Sequence, residues 1–189
     1  MNTKINLRFS ILTALILLVA FSRMIPHPTN FSPLGAIAIF GAAHFSKKWQ
    51  ILFIPIAATW LSDLFINNVI YANYYPTFTW FYDGFYWQYI SYLLIALTSM
   101  ALLKKVSKER VFIGAFCATA IFFLISNVGC WVGNSFYPQN FMGLMSCYAA
   151  GIPFLKGTLL GDLFYSLVLF GGFAIVQYKF PVLIKVENK

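Results

Sequence analysis

Apolar positions run along this chain in long blocks, and the breaks between the blocks alternate in character. NLRFSILTALILLVAFSRMI is followed by PHPTNFSP, rich in proline and polar side chains, whereas LGAIAIFGAAHF is followed by the basic pair Lys47 and Lys48. The alternation repeats, with Asn67, Asn68, Asn73 and Pro76 in the third break, Lys104, Lys105, Lys108 and Arg110 in the fourth, and Asn134, Pro138 and Asn140 in the fifth. A bilayer core about 30 Å thick takes about 20 helical residues to cross, and fewer inside a bundle. The pattern therefore predicts six helical spans, near 9–25, 33–46, 49–71, 87–104, 110–132 and 158–180. The second is too short to cross alone.

Composition places these helices in lipid. The chain is 60% hydrophobic, 20% aromatic and only 10% charged, with a mean hydropathy of +0.76, outside the range of soluble domains. The expected fold is a single domain over 1–189: an all-α integral membrane protein, a six-helix transmembrane bundle. The formal charge of +8 reflects scarce acids as much as abundant bases, and so apolar a chain offers no broad basic face to nucleic acid. Bases near span ends stay on the cytoplasmic side. Eleven of the thirteen Lys and Arg residues fall on one side of the six-span arrangement, and only Arg23 and Lys156 on the other. Both termini are therefore expected on the cytoplasmic side of the membrane. The start of the chain also resembles a signal peptide, with small residues at Ala20 and Ser22; cleavage there would remove the first span and leave the basic tail outside, so an uncleaved first span is expected.

On that arrangement the three outer connections carry the chemistry. They combine amides with many Tyr, Trp and Phe, a mixture that can stack on a flat ring while neutral groups bond its edges; interfacial belts account for part of the aromatic content. Asp63 and Asp162 sit inside apolar runs, WLSDLF and LLGDLF, both in the outer half of their spans, roughly 12 Å and 6 Å below the outer ends at about 1.5 Å per residue. An ionised carboxylate at such depth costs at least about 2.5 kcal/mol, so it faces the bundle interior or a cavity and takes a partner. Arg23, at a similar depth, is the expected partner of Asp63, Asp162 or both. Gly35, Ala38, Gly41 and Ala42 in the second span allow close helix contact, either within the bundle or, at Ala38 and Ala42, with a partner helix. His44 reads as interfacial. Cys130 and Cys147 are not expected to be obligately bonded, and no metal-ligand spacing is present.

The stretches RMIPHPTNFSPLGA, SDL and YAAGIPF with TLLGDLFY resemble a bacterial family of uncharacterised membrane proteins for which transport is the expectation, the domain-of-unknown-function group numbered 6580. In size, six-helix layout and proline-rich first outer loop, that family is in turn similar to the S components of energy-coupling-factor vitamin transporters. The resemblance implies capture of a small vitamin-like molecule from outside, with loop one as a lid and a transmembrane coupling subunit with ATPases as partner. Candidate substrate-binding residues are Asp63, Asp162, Asn30, His27, Asn127, Trp131 and Tyr165. A scaffold or assembly factor for another membrane protein is the alternative. A membrane enzyme is less well supported, because no HExxH or GxSxG motif is present. No cofactor is expected, and an energised transporter would need partners for lack of an ATP-binding glycine loop.

Overall fold

The computed structural model describes residues 2–183, so the tail bases Lys185 and Lys189 lie outside the described residues. The chain is helical throughout, with no strand among the described residues. The α-helices are α1 (Asn2–Phe21), α2 (Leu34–His44), α3 (Lys48–Phe65), α4 (Phe85–Leu102), α5 (Lys108–Gly133) and α6 (Phe141–Lys179). A single 3-10 turn, Ser22–Met24, ends α1, and a π-turn, Ile66–Ile70, prolongs α3. Five helices are long and apolar enough to cross a membrane, all but α2.

α2 is the helix around which the others assemble. Its 11 residues span only about 16 Å, and it touches all five other helices. Every residue from Leu34 to Gly41 is buried. A helix that is apolar on all sides can lie in the centre of a bundle, and its small residues let neighbouring backbones close in. A Cβ on Gly41 would stand 3.0 Å from the Pro55 ring of α3, and one on Gly114 of α5 would meet Ile39. Ala38, read above as a possible partner-helix contact, is 1% exposed. That reading is corrected: the chain itself fills the space around Ala38, while Ala42 is half-buried.

The second departure is at the fifth connection. The fifth connection, expected over 131–157 with FMGLMSCYAAGIPF able to form an interfacial helix, is mostly helix and continuous with the last span, so α6 runs 39 residues, about 58 Å. Asn140 starts it by accepting the Gly143 N–H at 2.9 Å, the N-cap arrangement that short polar side chains favour. The real break is 134–140. The opposite face of the bundle is oily, with Leu18 70% exposed. At the basic end Arg8 donates to the Leu183 carbonyl and stands 5.3 Å from the Phe173 ring centre, tying the start of the chain to residues 181–183.

Ala38→Leu forces three carbons into a filled contact and should destabilise the protein by about 1–3 kcal/mol. Leu18→Ala, on the exposed face, should change stability by less than about 0.5 kcal/mol. Melting in detergent measures both.

Candidate functional site

The end of the bundle that carries the connections 25–33, 71–84 and 134–140 gathers the two buried aspartates by different means. Arg23, in the turn after α1, places Nη1 2.6 Å from Asp63 Oδ1 and 2.7 Å from Ser62 Oγ, both on α3. The second carboxylate oxygen of Asp63 accepts the Tyr89 hydroxyl of α4 at 2.8 Å, and the Ser62 hydroxyl donates to the Thr59 carbonyl. Three elements are thus joined at one ion pair, whose side chains are 14% and 6% exposed. Tyr82, in the connection before α4, is held above its ordinary phenol range by burial and then by the Asp63 charge, so it stays neutral there.

Asp162 does something else. It is 2% exposed, its Oδ2 accepts the Thr119 hydroxyl at 2.8 Å, and its carboxylate accepts the backbone N–H of Ala36. Ala36 lies in the first turn of α2, whose N-cap is Pro33, with no side-chain cap of its own. The first N–H groups of a helix lack partners inside it; α6 supplies an acceptor from across the bundle, the Asp162 carboxyl group. Gly35 makes the approach possible, because any Cβ there would run into the carboxylate. Arg23 has no ion pair with Asp162 among the described residues, so of the expected alternatives only the Asp63 pairing is formed.

Between these groups lies a cavity of about 240 Å³. Arg23, His27, Asn30 and Ser32 line it from the α1 end and loop one, Tyr71 and Ile66 from the α3 end, Gln88, Tyr92 and Ile95 from α4, Phe122 from α5, and Thr158 and Asp162 from α6. The Tyr92 and Phe122 rings are parallel within 4°, 6.1 Å apart, an offset stack. A second cavity of about 250 Å³ shares Asn30, Phe122 and Thr158 with the first and continues to Asn127, Cys130, Gly151 and Phe154.

Loop one is seated on α6 by glycine. A Cβ on Gly157 would strike the Thr29 carbonyl, and one on Gly161 the backbone of Ser32. The loop turns at Asn30, with φ +59°, a left-handed conformation that asparagine tolerates. Loop three is pinned by Asn68, which donates to the Leu64 and Thr79 carbonyls and accepts the Thr79 N–H at 2.6 Å.

Of the candidate binding residues, His27, Asn30 and Asp162 line the first cavity and Asn127 the second. Asp63 stands behind Arg23 and lines neither. Trp131 donates to the Pro138 carbonyl at 2.9 Å, bracing the turn before α6. Tyr165 holds loop one, with its hydroxyl 3.1 Å from Ser22 Oγ and its ring against Phe31. Gln88, Tyr92 and Ile95 were not anticipated, although their i, i+4, i+7 spacing marks one helix face; nothing in the local sequence pointed to Thr119. Cys130 and Cys147 are free thiols, Cys147 buried with its sulfur 3.4 Å from the Asn127 carbonyl.

A family profile matches residues 3–183, nearly the whole described chain. The protein belongs to DUF6580, a family of unknown function. No curated protein matches this DUF6580 member, and no solved structure does.

Arg23→Ala leaves the Asp63 carboxylate buried and unpaired, and Asp63→Asn strands the guanidinium; each should cost about 3–5 kcal/mol. The double variant should lose much less than the sum in detergent melting, whereas additive losses would show that the pair is not coupled. Gly35→Ala should lower the melting temperature as well, because its methyl group and the Asp162 carboxylate compete for one position.

Proposed function

We propose that this protein is a substrate-capturing membrane subunit that binds a small molecule in the cavity between Arg23 and Asp162. The supporting observation is the cavity itself. It lies at the end of the bundle away from the basic clusters Lys47–Lys48 and Lys104–Arg110, and ion-paired, amide, hydroxyl and stacked aromatic groups converge on it, the mixed lining of a small-molecule site. With bases retained on the cytoplasmic side, both termini face the cytoplasm, six helices form the bundle in a bacterial inner membrane, and the cavity opens outward. Loop one, resting on Gly157 and Gly161, is the lid. The reading assigns no catalysis. Movement of the ligand across the membrane then requires a coupling partner with ATPases.

The alternative, a scaffold for another membrane protein, draws support from the aromatic side chains that face away from the bundle, among them Phe136 at 90% exposure.

Two measurements test the proposal. In a background with the native cysteines replaced by serine, Asn30→Cys should react with a membrane-impermeant maleimide on intact cells; protection there with labelling only after lysis would reverse the orientation. Thermal-shift screening of the purified protein against water-soluble vitamins, nucleobases and corrinoids should find a compound that raises the melting temperature, with the rise lost in Phe122→Ala. A shift that survives Phe122→Ala and Gln88→Ala would place binding elsewhere.

A further inference from the structure

A larger cavity, about 600 Å³, lies at the other end of the bundle, between the start of α5 and the last half of α6. We infer that it is a binding groove for one acyl chain of an anionic phospholipid, with the phosphate held by Lys108. The inference requires only that the helices lie in a bilayer, and it is independent of what the Arg23–Asp162 cavity binds.

The walls are hydrocarbon. Leu163, Leu167, Phe170 and Phe173 of α6 face Val111 and Phe112 of α5, and the polar residues along the inner part are Ser166 and His44 of α2, whose ring packs on Phe170 and Phe173. From Leu163 to Gln177 the groove follows about 21 Å of helix, close to the depth of one leaflet with its headgroup layer, half of a bilayer about 40–45 Å thick. Small residues keep it open: a Cβ at Gly171 would have no atom within 4 Å. The opening is toward the oily surface, because Leu167, which lines the groove, is 73% exposed. A ligand therefore enters from the lipid phase, not from water.

Volume separates the possible occupants. One turn of a helix about 10 Å across fills about 420 Å³, so the groove would take fewer than two turns of a partner helix, whereas a flexible chain fits along its length. Charge then selects among lipids. Ser107, Lys108 and Gln177 stand at the polar end of the groove, with Lys104 and Lys105 on the same connection, both exposed, against the single acid Glu109. A basic rim of this kind attracts anionic headgroups by about 1 kcal/mol per Lys or Arg. A phosphate at Lys108 with its chain running toward Leu163 satisfies both halves of the groove.

The test uses the full chain purified in a neutral detergent. Phosphatidylglycerol should raise the melting temperature by about 5 °C, as expected for a ligand well above its dissociation constant, and phosphatidylcholine with the same acyl chains should raise it much less. Gly171→Phe, which fills open space, should leave the lipid-free melting temperature unchanged and abolish the phosphatidylglycerol shift. Lys108→Gln should reduce the difference between the two lipids. Equal shifts from the two lipids would overturn the headgroup assignment. A phosphatidylglycerol shift retained in Gly171→Phe would overturn the groove, as would a Gly171→Phe variant that loses a co-purifying protein but keeps its lipid response.

Discussion

An 11-residue helix enclosed on every side cannot turn to water for the N–H groups at its start. The remainder of the loop end is arranged around that requirement. Asp162 reaches from α6 to the first turn of α2, Gly35 clears the space for it, and Thr119 of α5 donates to the same carboxylate. One side chain thereby fixes the relative positions of three helices. A carboxyl group that would be costly to bury alone is satisfied because Thr119 and the start of α2 surround it.

The other aspartate solves the same electrostatic problem with a side-chain cation. Asp63 is held on both oxygens, by Arg23 from the end of α1 and by Tyr89 from α4, so neither charge needs solvent. Deep charges survive where every lone pair and proton has a destination. Because each acid has its own partners, the cavity is lined by an Arg23 already paired with Asp63 and by an Asp162 already bonded to Thr119.

The two ends of the bundle differ in how space was made. At the loop end the space beside the glycines of α6 is filled, by the backbone of loop one at Gly157 and Gly161 and by the Asn127 side chain at Gly151. At the basic end Gly171 and Gly172 face nothing within 4 Å. The same residue type closes one site and leaves the other open, and the difference lies entirely in what packs opposite.

Membership of DUF6580 was legible in the stretches RMIPHPTNFSPLGA and YAAGIPF with TLLGDLFY, and the apolar helices and the alternation of basic and amide-rich breaks were legible because each depends on local composition that does not need a partner. The burial of both aspartates was legible too, since charge in an apolar run has few physical outcomes. Their partners were only partly so: Arg23 was identifiable as the scarce cation at matching depth, but its choice of Asp63 over Asp162 depended on which helices are neighbours. Sequence could not show that α2 sits at the centre, because small apolar residues suit a core helix and a partner-facing helix equally; the five surrounding helices decided it for Ala38. Nor could it separate Trp131 and Tyr165, which brace loops, from Gln88 and Tyr92, which face the cavity, since all four are ordinary helix residues until the bundle closes. The continuity of α6 through Pro153 was likewise hidden, because an internal proline signals a break locally and only packing along α5 holds the helix together across it.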